Sequence, residues 1–101
     1  ALPIYNEISY DMADNGLQAV ELATRKNYDL ILMDIQMPEM DGIEATKKIR
    51  SLISKQIPII AITANAVEEE LKTYMQEGLT DYLTKPFDEY KLLKKIREYI
   101  T

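Results

Sequence analysis

A doubly wound α/β sandwich, a parallel sheet with helices on both faces, is the fold class this sequence predicts, and three observations predict it. Leu30, Ile31, Leu32 and Met33 form a short continuous apolar run, the pattern of a strand buried on both faces rather than one with a wet side. Residues 57–62, IPIIAI, form a second such run. Segments with apolar residues at helical spacing lie between and after these runs, and strands alternating with helices of this length call for right-handed crossovers in a parallel sheet.

Each element has its own local reason. Residues 8–13, ISYDMA, alternate apolar and polar positions as an edge strand does, and Asp14-Asn15-Gly16 turns the chain into a helix. Leu17, Ala19, Val20, Leu22 and Ala23 give that helix an apolar face, and Asn27 ends it. The central strand over 30–33 stops at Asp34. Pro38, Asp41 and Gly42 then break the chain and restart it as a second helix, with Ala45 and Ile49 one turn apart and Lys47, Lys48 and Arg50 pointing elsewhere. After a polar connection over 51–56 comes the strand over 57–62, with Pro58 tolerable only near its beginning. Val67, Leu71, Tyr74, Met75 and Gly78 trace a third helix. Glu68, Glu69 and Glu70 crowd its first turn, where the helix dipole favours them, and Gly78 caps its end. Residues 81–83 make a short last strand, and residues 89–100 a closing helix with Leu92, Leu93, Ile96 and Ile100 inward. The result is a flavodoxin-like sheet of about four strands and four helices in a single domain, with residues 1–7 as an irregular lead.

Composition narrows the function classes. The chain has 101 residues, 47% hydrophobic and 29% charged, which suits one soluble core, and no apolar run approaches a membrane span. Without cysteine there is no disulfide framework or thiolate metal site, and without histidine there is neither an imidazole ligand nor a phosphohistidine on this chain. A net charge of −5 and a pI near 4.7 argue against direct binding of nucleic acid, which needs a concentrated basic face. No secretory leader is apparent, so a cytoplasmic setting is the expectation.

Asp34 lies at the carboxyl end of a buried strand, and open α/β sheets bind their ligands outside the carboxyl ends of the strands. Thr63 ends the second apolar strand and is followed by the small Ala64, and Lys85 follows the last strand in DYLTKPF. An acid, a hydroxyl and a cation thus terminate three strands of one sheet. Taken singly they have plain readings: Asp34 a turn cap, Thr63 an N-cap for the next helix, Lys85 a solvated charge. Taken together, DIQMPEMDG, the strand ending in Thr63-Ala64 and the segment TKPF resemble the bacterial response-regulator receiver domains. That resemblance implies that Asp34 accepts a phosphoryl group from a phosphohistidine, that Thr63 and Ala64 contact the phosphoryl oxygens, and that Lys85 pairs with the modified aspartate. It also implies that Tyr82 changes position as Thr63 moves, that the bond before Pro86 is cis, and that the Gln36 carbonyl joins Asp34 in holding Mg²⁺. An acyl phosphate adds roughly −1.5 to −2 charge beside other carboxylates, which explains the need for a hydroxyl and a cation.

The departure from the family is equally specific. Receivers begin with a strand ending in two acids that hold Mg²⁺, followed by a full helix, and nothing in ALPIYNE resembles this. The resemblance therefore covers residues 8–101, with the acidic pair absent, and Mg²⁺, which prefers near-octahedral oxygen ligation, is left with a thin donor set. Glu7, Asp11 and Asp14 lie on or beside the edge strand or in its turn and do not replace the pair. In the family order the missing strand lies between the edge strand and the Asp34 strand, so the sheet could close up, exchange a strand with a second copy, or take one from a longer chain. The implied partners are a histidine kinase or a histidine phosphotransfer protein, as in a hybrid kinase, with a homodimer through the last two helices or by strand exchange. Two other functions stay open: a phosphorylation-independent interaction module of the same fold, and a flavin binder, against which stands the lack of a Ser/Thr/Gly-rich phosphate loop.

Overall fold

The structure is a computed structural model and describes residues 11–35, 40–64 and 67–100. Its elements in chain order are α1 (Gly16–Arg25), β1 (Ile31–Asp34), α2 (Gly42–Leu52), β2 (Ile59–Thr63), α3 (Glu68–Gln76), β3 (Asp81–Thr84) and α4 (Glu89–Tyr99). The three strands form one parallel sheet in the order β1-β2-β3, with Asp34 opposite Ile62 and Thr63 opposite Thr84. All carboxyl ends therefore lie along one edge, and the flavodoxin-like α/β class stands.

Several boundaries differ from the sequence reading for identifiable reasons. The first half of the edge strand expected over 8–13 falls outside the described residues, and its last three, Asp11 to Ala13, carry no strand pairing. Among the described residues the sheet thus has three strands. β2 starts at Ile59 rather than at residue 57, since Pro58 has no N–H to give and contributes only its carbonyl, which accepts from the Ile31 N–H at 2.8 Å. α1 ends at Arg25, ahead of the Asn27 expected to end it, because the Lys26 N–H closes the last turn on the Leu22 carbonyl from an extended backbone. Asn15, Asp41 and Asp88 cap α1, α2 and α4 by accepting from the N–H groups of Gln18, Glu44 and Lys91.

Strand alternation divides the packing. Met33, Ile59, Ala61, Ala45, Ile49, Ala23 and Leu79 make the main core, with Tyr74, Met75 and Tyr82 against it, so α1, α2 and α3 share that face. Leu32, Ile60 and Asp81 are level in register and point to the other face. There α4 lies, tied to Asp81. The second face is thinner. Leu32 is 37% exposed, and Leu92, Leu93, Ile96 and Ile100, expected inward, are only half-buried.

Candidate functional site

Backbone bonds hold Ile35 and Met40 near the end of β1. Gly42 donates its N–H to the Ile35 carbonyl at 3.1 Å, and the Gly16 N–H donates to the Met40 carbonyl at 2.9 Å. A Cβ at Gly42 would lie 2.2 Å from the Asp34 carbonyl oxygen, so only glycine lets α2 start against the strand that carries Asp34. Asp41 is spent on the α2 cap, in keeping with its reading as a helix-start residue.

Asp34 and Lys85 meet across the sheet edge. The Lys85 ammonium donates to Asp34 Oδ2 at 2.9 Å, although 51 residues separate them, and the Lys85 N–H donates to the Thr63 carbonyl at 2.8 Å. Both charged groups keep contact with solvent, with the lysine side chain 47% and the aspartate side chain 38% exposed. An incoming anion can therefore reach them. Thr63 is buried at the end of β2, Ala64 follows it at the surface, and the Lys85–Pro86 peptide is cis. Tyr82 stands half-buried on the main-core face of β3. Gln36 lies outside the described residues.

The donor set for a metal is short. Among the described residues no three acidic side chains come together in a group that could hold an ion. Asp34 is the carboxylate at this edge, and it is paired with Lys85. These residues do not by themselves match the oxygen-rich shell that Mg²⁺ requires.

Two polar centres away from the site escaped the sequence reading. Arg50, expected to lie off the apolar face of its helix, is half-buried: its Nε donates to the Gly78 carbonyl at 2.8 Å, Nη1 to the Ser54 carbonyl at 3.3 Å and Nη2 to Thr80 Oγ1 at 3.2 Å. Asp81 Oδ2 accepts from Tyr99 Oη at 2.6 Å and from Lys95 Nζ at 3.1 Å, while Oδ1 accepts from the Tyr82 N–H. Burial pushes the Asp81 carboxyl up, but its hydrogen bonds from Tyr99, the Tyr82 N–H and Lys95 outweigh this and hold it below its ordinary value. The same contact pushes the Tyr99 phenol up to about 12. Lys95 is consumed in this cluster. Partners so distant along the chain leave no local signature.

Among the described residues, a three-stranded parallel sheet whose carboxyl edge joins an aspartate to a lysine, with a threonine at the strand between them, is that of a doubly wound α/β domain with its polar site at the strand ends. The model of the response regulator receiver domain matches residues 3–97, and the chain belongs to that family. Among curated relatives, the signal transduction histidine-protein kinase BarA of Escherichia coli (strain K12) is 44% identical over 90 residues, covering 88% of this chain and 10% of the kinase. The transcription factor SKN7 of Candida albicans is 46% identical over 90 residues, covering 86% of this chain and 16% of the factor. The chain thus spans a small part of these relatives' length. Among solved structures, the receiver domain of the sensor histidine kinase PA1611 from Pseudomonas aeruginosa, with a magnesium ion coordinated in its active site cleft, aligns with a TM-score of 0.81 at 41% identity. That alignment covers 89% of this chain and 75% of that one. A two-component response regulator from Clostridium difficile aligns with a TM-score of 0.86 at 29% identity, over 96% of this chain and 78% of its own. Receiver domains are signalling domains of two-component systems rather than free-standing enzymes.

Proposed function

We propose that this chain is a single phosphorelay receiver unit in which Asp34 takes a phosphoryl group from a phosphohistidine on a histidine kinase or histidine phosphotransfer partner. The observation that carries this reading is the 2.9 Å contact of Lys85 Nζ with Asp34 Oδ2 across the ends of two strands. In the transfer, an Asp34 carboxylate oxygen attacks phosphorus in line and an O–P bond forms as the donor's N–P bond breaks; the bond's electron pair stays on the ring nitrogen, and because the other ring nitrogen carries a proton the partner is left with a neutral imidazole. Lys85 stands where it can meet the charge that builds on the phosphoryl oxygens, and in this reading the Thr63 hydroxyl and the Ala64 N–H, at the end of the neighbouring strand, bind the same oxygens. Tyr82, opposite Ala61 and two residues short of Thr63's partner Thr84 in the adjoining strand, carries the change to the face formed by α3, β3 and α4. A cytoplasmic setting and self-association through that face or by strand exchange belong to the same reading.

A second reading, an interaction module that no longer accepts phosphate, is favoured by one observation: the described residues fall short of a metal donor set. The two separate by phosphoprotein yield from a small acyl-phosphate donor, with and without Mg²⁺, read by intact mass. The chain itself is expected to label poorly. A version extended upstream by a receiver strand ending in two acids is expected to label strongly and only with Mg²⁺, and Asp34→Asn to abolish labelling in both. No labelling of the extended chain would favour the interaction module.

A further inference from the structure

We propose that a cavity at the amino edge of the sheet binds a small monocarboxylic acid with an apolar body, whose carboxylate takes the place of Asp11 on Lys26 and Tyr28. The cavity has a volume of about 280 Å³ and lies between the ends of α1 and α2 and the starts of β1 and β2. Ala23 and Ile49 of the main core line it, with Ile31 and Ile57, which pack against that core. Ile53 also lines it and is 38% exposed, so apolar surface meets solvent there. Asp34 and Lys85 lie at the other edge of the sheet, so this cavity is separate from the site described above.

The polar part of the wall suits a carboxylate. Lys26 and Tyr28, on the connection from α1 to β1, both line the cavity, and their polar ends converge on one oxygen. Lys26 Nζ donates to Asp11 Oδ2 at 3.0 Å, and Tyr28 Oη donates to the same atom at 2.6 Å. The bonds from Tyr28 and then Lys26 hold the Asp11 carboxyl below its ordinary value, so the two donors together stabilise a carboxylate in its charged form. None of the described lining residues is acidic, which leaves Lys26 as the charge of the wall. Ser54, another lining residue, accepts through Oγ from the Gln56 and Ile57 N–H groups of its own turn.

Asp11 satisfies both donors but is not among the residues that line the cavity. An acid with an apolar body would satisfy the same donors and fill the apolar space as well. The exchange is cheap. Lys26 is 60% exposed in its pair with Asp11, and exposed pairs of this kind are weak. Asp11 is then the competitor that a ligand displaces, so removing it strengthens binding. A volume of about 280 Å³ falls just under the roughly 300–1,000 Å³ of most small-molecule sites, which limits the occupant to a chain of about six to eight carbons or a single ring.

Titration of the chain with sodium hexanoate and sodium octanoate, followed by amide and methyl NMR shifts, tests this. Saturable shifts centred on Ile31, Ile49, Ile53 and Ile57 are expected, with octanoate binding roughly tenfold tighter than hexanoate, at about threefold to fourfold per methylene. Octan-1-ol, with the same chain and no charge, is expected to bind about fivefold weaker than octanoate or worse. Asp11→Ala is expected to tighten octanoate about threefold to tenfold by removing the competing carboxylate, and Lys26→Met to weaken it about fivefold or more. No saturable shift, shifts spread over the half-buried side of α4 instead, octan-1-ol binding as tightly as octanoate, or weaker binding in Asp11→Ala would each overturn the site. The chain-length series and the alcohol need no variant, so they decide the matter even if a variant fails to fold. Asp34 takes no part, and its failure as an acceptor would leave this result untouched.

Discussion

Lys85 adds little to holding the fold. Its bond to Asp34 is short, but both partners are well exposed, and ion pairs of that kind contribute at most about 1 kcal/mol. Lys85→Ala should therefore shift the unfolding midpoint little in a thermal melt, yet lower the rate of phosphoryl acceptance by the extended chain roughly a hundredfold, as loss of one preorganised cation does. A large loss of stability with unchanged acceptance would reverse that assignment. Asp81 behaves in the opposite way. Its hydrogen bonds lie within the domain, and removing the phenol in Tyr99→Phe should cost about 1.5 kcal/mol in denaturant unfolding near neutral pH. The Asp81 carboxyl is depressed in the folded state. The stability it adds is thus present above the ordinary carboxylate value of about 3.9 and is lost as pH falls through the lower, folded value. The stability difference between the chain and Asp81→Asn should shrink over that acid range, and a difference that stayed constant from neutral pH to about pH 3 would count against the cluster.

The elements show which features a sequence reveals and which it does not. Asp34, Thr63 and Lys85 were legible because each ends a strand, and a parallel sheet brings all carboxyl ends to one edge regardless of loop detail. The caps at Asn15 and Asp41 and the closure at Gly78 were legible because they depend on residues three to five positions away. Arg50 was not, since its carbonyl partner lies 28 residues on, and a lone arginine on the mixed face of a helix reads as solvated. The half-burial of α4 was also hidden. Its apolar spacing is that of an inward face, and only the packing shows that this side of the sheet is thinly covered. Gly42 gives a test at this scale. Because a Cβ there would strike the Asp34 carbonyl, Gly42→Ala should destabilise by about 2 kcal/mol or more, whereas Glu44→Ala two residues on should cost under about 0.5 kcal/mol. Equal midpoints for the two variants would show that α2 can shift away from β1 freely.

At the scale of the whole molecule, a sheet with one well-packed face and one thinly covered face carries its chemistry at the edge where its strands end. Every part of the proposed function depends on Asp34 being the acceptor there, with Lys85 beside it. The most direct measurement is to treat the extended chain with a small acyl-phosphate donor and Mg²⁺, trap the aspartyl phosphate by borohydride reduction, and locate the converted residue by peptide mass spectrometry. Conversion at Asp34 alone, abolished by Asp34→Asn and strongly reduced by Lys85→Ala, is the predicted result. Conversion at another acid, or label that survives Asp34→Asn, would contradict it.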